Sequence, residues 1–150
     1  IIDSSSNNDC LYGLSKFNSE ILLKFFLKNN FDILNLRVGY VYGDNMDKTR
    51  IHKVFENELK NKNTITLWGN GVRILPQISI DFLIKNILTF IEKPISGTFN
   101  LAEENISLER IAKNIIKKNG NISSKILYLS NGNTEKFKMN LSKIRSVLKK

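Results

Sequence analysis

The sequence contains a single cysteine and a single histidine among its 150 residues. Because one cysteine, Cys10, cannot form an internal disulfide, we expect a reducing compartment and therefore a cytoplasmic protein. His52 has no cysteine or acidic pattern around it, which favours a surface or packing histidine and predicts no metal site. Apolar runs stay below the roughly 18 residues of a membrane span, and the polar N-terminus does not resemble a signal peptide, so we expect no membrane segment.

The sequence also lacks the glycine-rich turn with which a dinucleotide-binding site begins. Such a site needs a strand, a Gly-x-x-Gly-x-x-Gly turn and a helix, so that backbone N–H groups and the helix dipole meet the pyrophosphate. The closest glycine pair, Gly69 and Gly71, instead lies in Trp68-Gly69-Asn70-Gly71, for which we predict a tight, hairpin-like turn. The sequence as it stands therefore does not encode a complete dinucleotide-dependent enzyme.

The composition is strongly basic, with a net charge of +9 and a pI near 9.7. A basic chain can bind nucleic acid, but these lysines are scattered as on solvated helix faces, and no RNA-binding signature with paired aromatic residues is present. We therefore disfavour a nucleic-acid partner. An anionic small ligand would also benefit from a positive field.

Helical and extended patterns alternate along the chain, which predicts an α/β fold. Residues 1–10 and 39–49 are predicted loops. The first two predicted helices cover about 12–29 and 50–61. A third is capped by Asp81 and stopped by Pro94, and a fourth starts at Leu108, with Ser107 as its cap and Gly120 as its end. A short fifth helix is predicted from Ser142. The predicted strands cover 31–38, 64–68, 74–80 (an edge strand, because of Pro76), 98–102 and 125–129.

Tyr12 and Lys16 carry the chemistry that this pattern suggests. They are four residues apart at the start of the first helix, so they share one helix face. A phenol normally loses its proton near pH ~10, and a neighbouring ammonium lowers that pKa, which makes the tyrosine a usable general acid or base. Taken alone, the spacing favours a surface tyrosine that packs on a lysine stem.

Five segments in this order carry a resemblance. They are Tyr12-Gly13-Leu14-Ser15-Lys16 with Glu20, Leu36-Arg37-Val38-Gly39-Tyr40-Val41-Tyr42-Gly43, Trp68-Gly69-Asn70-Gly71, Phe99-Asn100-Leu101-Ala102 and Asn140-Leu141-Ser142-Lys143-Ile144-Arg145. Together they resemble the C-terminal half of the extended short-chain dehydrogenase/reductase family, the NAD(P)-dependent epimerases, dehydratases and reductases of nucleotide sugars. The family's catalytic Ser or Thr lies more than 20 residues before the tyrosine, so Ser4, Ser5 and Ser6 are not expected to be that residue.

The resemblance implies the C-terminal part of a Rossmann-like NAD(P)-binding fold, at about 1–43, and a small substrate-binding α/β subdomain, at about 44–150. Tyr12 would be the general acid/base and would contact the cofactor, NAD or NADP, together with Lys16. A homodimer through helix 12–29 is also implied, and the fragment alone is expected to be inactive.

Four further positions are candidate ligand contacts. Arg37 ends a strand, where it would contact the cofactor or form an ion pair with Glu20 or Asp32. Tyr40, Val41 and Arg73 are the candidate contacts to the nucleotide sugar, and a solvated Arg73 is the alternative. Leu75 and Pro76 occupy the positions where the family has Arg and Asp. The other reading of the whole chain is a non-catalytic binding or assembly domain that keeps this half-fold.

Overall fold

The computed structural model describes residues 7–93 and 95–148, and its helices and strands alternate as an α/β fold requires. In chain order the elements are α1 (Asn7–Leu27), β1 (Leu34–Val38), β2 (Tyr40–Tyr42), α2 (Ile51–Lys62), β3 (Thr64–Trp68), β4 (Ile74–Ser79), α3 (Ile80–Glu92), β5 (Gly97–Leu101), β6 (Glu104–Ser107), α4 (Leu108–Asn119), β7 (Lys125–Leu129) and α5 (Ser142–Leu148). The predicted α/β class is therefore confirmed.

Three small sheets carry these helices. β1 pairs in parallel with β5, and β3 pairs in parallel with β7. The third sheet has the order β2-β4-β6, in which β2 runs parallel and β6 antiparallel to β4. Parallel pairs need a crossover between their strands, and the helices supply these connections.

Two hydrophobic clusters hold the fold together. In the first, α2 and α4 cover β3, where Ile65 and Leu67 alternate inward and are fully buried. In the second, α3 and α5 pack with β1 and β5 around Phe90, Phe99 and Leu101. These two clusters place β2, the start of α2 and β4 side by side between them, and the cavities described below lie there.

Local helix signals were only partly correct. Ser107 caps α4 as predicted, since its hydroxyl accepts a hydrogen bond from the Arg110 N–H at 3.2 Å. The predicted cap Asp81 is wrong: Ser79 accepts the hydrogen bond from the Phe82 N–H, and Asp81 lies in the first turn of α3. The chain enters α3 directly from β4, so the cap is the last strand residue.

Several predicted loops and turns are also corrected. The helix α1 begins at Asn7, inside the predicted loop 1–10, and residues 40–42 form β2 inside the predicted loop 39–49. Strand β6 was not predicted. The first strand begins at Leu34 instead of residue 31. Ser4, Ser5, Ser6 and Pro94 lie outside the described residues.

The segment at 69–71 is a tight turn but not a hairpin. Gly69, Asn70 and Gly71 all have positive φ, at 58°, 54° and 67°, as the glycines allow. However, β3 pairs with β7, whereas β4 pairs with β2 and β6. The edge position predicted from Pro76 is therefore wrong. Proline is tolerated in this central strand because Pro76 precedes the first residue that pairs with β2, which is Gln77.

Candidate active site

The exposed helix α1 carries Tyr12 and Lys16 on one face. The Lys16 ammonium lies 5.3 Å from the centre of the Tyr12 ring, and Tyr12 is 66% exposed. The helix brings them together because four residues advance the chain by about one turn. The pair is thus open to a ligand that approaches α1, and a phenol beside an ammonium can exchange a proton with such a ligand.

Arg37 joins α1 to the strand β1. Its Nε and one terminal nitrogen each donate a hydrogen bond of 2.8 Å to the two carboxylate oxygens of Glu20. This bidentate contact lowers the pKa of Glu20 and raises the pKa of Arg37. The sequence left Arg37 two alternatives, a contact with the cofactor or an ion pair. The structure contains the ion pair with Glu20, which holds α1 against the end of β1.

Three aromatic rings from β2 and α2 form a stack. The imidazole of His52 lies parallel to the Tyr42 ring at 4.5 Å, and the Tyr40 ring follows at 6.3 Å from the imidazole. The Tyr40 hydroxyl accepts a hydrogen bond from the Ile51 N–H at 3.0 Å, which satisfies a backbone donor at the start of α2. The guanidinium of Arg50 lies 5.5 Å from the centre of the Tyr40 ring.

On the Tyr40 side of this stack lies a cavity of about 590 Å³, which we call the arginine cavity. It brings together Tyr40 and Arg73, two of the three predicted substrate contacts, although they are remote in sequence. Its lining is completed by Asp47, Thr49, Arg50, Ile51, Leu75 and Leu108. Neither Arg50 nor Arg73 takes part in a salt bridge among the residues described. The cavity therefore offers two cations to an anionic group.

On the Tyr42 side lies a larger cavity of about 700 Å³, which we call the histidine cavity. It is lined by residues 41–46, by His52 and Glu56 of α2, by the end of β4 and the start of α3, and by one side of α4 from Ile111 to Asn119. Val41, the third predicted substrate contact, lines this cavity and not the arginine cavity.

Hydrogen bonds hold three of the side chains that line the histidine cavity, those of His52, Gln77 and Tyr42. A ring nitrogen of His52, Nε2, lies 3.1 Å from Oε1 of Gln77, and the Gln77 amide donates to Glu104 at 3.4 Å. The Tyr42 hydroxyl donates to Glu103 at 3.2 Å. Burial lowers the pKa of His52 and raises the pKa of Tyr42, so both side chains are held neutral.

His52 was predicted to be a surface or packing residue, and it packs between two tyrosines. Its place in the wall of the histidine cavity was missed because it depends on which strand packs against α2. A weak signal was present in the sequence: Tyr40 and Tyr42 alternate, so their rings share one face of a strand. In residues 7–93 and 95–148 no group of three or more potential metal ligands occurs. Nor does this part of the chain contain a helix long and apolar enough to cross a membrane.

Comparison with known proteins identifies the fold. No family model and no curated protein matches the chain. Among solved structures, it is similar to UDP-N-acetylglucosamine 4-epimerase from Bacillus cereus, with a TM-score of 0.78 and 22% identity over 92% of this chain and 49% of that one. The chain has the fold of half a nucleotide-sugar epimerase or dehydratase.

Two further structures support this statement. UDP-N-acetylglucosamine 4-epimerase from Methanobrevibacter ruminantium M1, in complex with UDP-N-acetylmuramic acid, matches with a TM-score of 0.75 and 19% identity over 91% of this chain and 46% of that one. dTDP-glucose 4,6-dehydratase from Bacillus anthracis, in complex with NAD, matches with a TM-score of 0.72 and 14% identity over 92% and 45%. The chain thus spans about half the length of the structures it matches, and at these identities the likeness establishes the Rossmann-like fold.

Proposed function

We propose that this chain is the C-terminal half of an NAD(P)-dependent enzyme that epimerises, dehydrates or reduces a nucleotide sugar. The observation that carries the proposal is the Tyr12–Lys16 pair, which lies on an exposed helix beside the end of β1 in this fold. Residues 1–43 would close the cofactor domain, and residues 44–150 would form mainly the substrate subdomain. A single cysteine is compatible with the cytoplasm as the compartment.

In this proposal Tyr12 holds or transfers a proton at its hydroxyl oxygen, next to the reacting sugar carbon. Lys16 holds the ribose hydroxyls next to the nicotinamide and stabilises the Tyr12 phenolate. Both side chains fit this role because they are adjacent and open to solvent. The dinucleotide, when bound, supplies hydride transfer. Arg37 would contact it only through an atom that Glu20 leaves available.

The arginine cavity is the proposed site of the nucleotide diphosphate. Arg50 and Arg73 are cations that can bind two phosphate groups, and the Tyr40 ring offers a planar surface to a base. Leu75 lines the same cavity, so the position where the resembled family has an arginine is apolar here. Arg73, two residues earlier in the chain, supplies a cation near it. Val41 lines the other cavity, and we assign it no contact with the nucleotide.

A preceding cofactor-binding half would complete the enzyme. The parallel strand β1 pairs only with β5 among the strands of the described part, which leaves its other edge open. The structures that the chain matches are about twice as long, which is consistent with a missing half. Because the pyrophosphate-binding turn is absent from this sequence, we expect the chain alone to bind NAD(H) more weakly than roughly 10 μM.

The catalytic assignment is tested with Tyr12→Phe and Lys16→Met in the protein that includes the cofactor half. Turnover of Tyr12→Phe should fall by roughly 10²–10⁴-fold, because the substitution removes the proton that the phenol transfers. Steady-state rates are measured on UDP-, dTDP-, CDP- and GDP-sugars, with Tyr128→Phe as the matched control on another exposed tyrosine. Near wild-type turnover of Tyr12→Phe on any sugar that the parent enzyme converts would show the assignment to be wrong.

The nucleotide site is tested with Arg73→Ala. Loss of one charge-assisted contact should weaken binding of the nucleotide sugar by roughly 10–100-fold, since such hydrogen bonds contribute about 1.5–3 kcal/mol. Lys117→Ala, which removes an exposed cation from the last turn of α4, is the control and should leave binding unchanged. Equal effects of the two substitutions would indicate a general electrostatic effect instead of a site.

The second candidate function is a non-catalytic binding or assembly domain. The observation that favours it is the apolar surface of α1, where Phe17, Ile21 and Phe25 are exposed. We propose a homodimer through this helix under either function. Absence of NAD(P) binding in the longest natural form of the protein, with dimerisation retained, would favour the assembly role.

A further inference from the structure

The histidine cavity is a second cavity that the proposed function does not use. Its volume of about 700 Å³ is that of a small-molecule site, which commonly has roughly 300–1,000 Å³. The stack of Tyr40, His52 and Tyr42 stands between it and the arginine cavity. A ligand here would therefore be separate from the nucleotide diphosphate.

The two cavities differ in the sign of their charge. The histidine cavity is lined by the carboxylates of Asp44, Glu56 and Asp81 and by one cation, Lys118. Glu56 is neutralised by Lys53 at 2.9 Å, but the salt bridges found in the described structure include neither Asp44 nor Asp81. The arginine cavity has two arginines and one aspartate. On a chain of net charge +9, the histidine cavity is thus an acidic exception that disfavours anions.

The wall of the cavity adds a fixed hydrogen-bond acceptor and an aromatic surface. Gln77 is only 5% exposed, and its amide donates to Glu104, so its oxygen faces Nε2 of His52 as the acceptor. Nε2 of the neutral imidazole is therefore the donor, and Nδ1 keeps a lone pair. The parallel contact with Tyr42 at 4.5 Å holds the ring in this orientation.

We propose that the histidine cavity binds a small molecule that carries a protonated amine. The carboxylates of Asp44 and Asp81, which form no salt bridge in the described structure, can bind an ammonium group, as can the imidazole lone pair and the Tyr42 ring. Ile111 and Ile115 supply an apolar wall for the carbon skeleton. The three acidic side chains come from three separate segments and do not form a metal-binding group within the described chain.

Three probes of the same four-carbon length test the charge requirement. Isothermal titration calorimetry measures binding of 1,4-diaminobutane, 1,4-butanediol and succinate to the protein at moderate salt. The diamine should bind at least about tenfold more tightly than the diol, because hydrogen bonds to charged groups are the stronger ones, and succinate should not bind this cavity. Equal binding of diamine and diol, or no heat for the diamine at millimolar concentration, would overturn the proposal.

Matched variants locate the site. Asp44→Asn and Asp81→Asn each remove one carboxylate of the cavity while keeping its shape, and each should weaken diamine binding by about tenfold. Asp47→Asn makes the same charge change in the arginine cavity and should leave diamine binding unchanged. All three residues are exposed, so the variants should fold, which circular dichroism checks. If Asp47→Asn weakens binding as much as the other two, the diamine binds the surface non-specifically and the proposal is wrong.

Discussion

The helices α1 and α4 both carry apolar residues at helical spacing, but the less apolar helix, α4, is the one whose apolar residues are buried. α1 is the longer, with 21 residues, and leaves Leu11, Phe17, Ile21 and Phe25 about half exposed or more. α4 has 12 residues and buries Leu108, Ile111, Ala112 and Ile115. Apolar residues on a helix therefore do not become core by themselves, because a facing surface has to cover them.

The difference follows from spacing and from neighbours. The buried residues of α4 recur at three- and four-residue steps, which makes one narrow stripe, and α2 and β3 cover that stripe. The apolar residues of α1 occupy a wider part of its circumference. The bidentate Arg37–Glu20 contact joins α1 to β1, while the large apolar side chains stay open. We infer that the missing surface for α1 lies on another half or another copy.

The largest expected contrast is in stability. Ile111→Ala should lower the free energy of unfolding by about 2–5 kcal/mol, because Ile111 is 1% exposed and its truncation leaves a cavity. Ile21→Ala makes the same chemical change in α1, where Ile21 is 48% exposed, and should change it by about 0.5 kcal/mol or less in the monomer. Urea unfolding followed by circular dichroism measures both. Similar losses for the two variants would break the contrast between the helices.

The next effect concerns association through α1. Phe25→Asp places a charge in the exposed apolar surface and should weaken self-association at least about 30-fold, the equivalent of a side chain worth about 2 kcal/mol at an interface. Sedimentation equilibrium measures the dimer dissociation constant. Ile122→Asp, which alters a fully exposed apolar side chain outside α1, is the control and should leave it unchanged. A monomeric wild-type chain at all concentrations would contradict the proposed dimer.

The smallest expected effect is a difference in pH dependence between the packed region around His52 and the contact that holds α1. Burial lowers the pKa of His52 below its ordinary value of 6.5, so the unfolded chain binds the proton more readily than the folded one. The contribution of neutral His52 to the free energy of unfolding should therefore be fully present above pH 6.5 and should decline as the pH falls toward the lowered pKa. The pKa of Glu20 is lowered by Arg37, so the contact that holds α1 should be lost only below pH 4.5. Urea unfolding midpoints measured between pH 4 and pH 8 test both expectations. In His52→Gln the midpoint should depend less on pH in the range just below pH 6.5. If the variant keeps the pH dependence of the wild type in that range, His52 is not its source.

Features that depend on neighbouring residues in the chain were predictable. The bounds of β3 and β7 agree with the predicted strands, and Ser107 caps α4 as expected. The common face of Tyr12 and Lys16 follows because four residues make about one helical turn, and it is present. Composition and alternation were sufficient for the α/β class, because hydrophobic periodicity reports which face of each element is buried.

Features that depend on remote residues were decided by the tertiary structure. The Gly69–Gly71 turn looked like a hairpin, but pairing of β3 with β7 is more than 50 residues distant in sequence and left no local signal. The same holds for Pro76 in a central strand, for the meeting of Arg50 and Arg73 at one cavity, and for His52 between two tyrosines. Local propensity and spacing determined the elements and the Tyr12–Lys16 pair, whereas packing of α2 over β2 and β4 decided which side chains share a site.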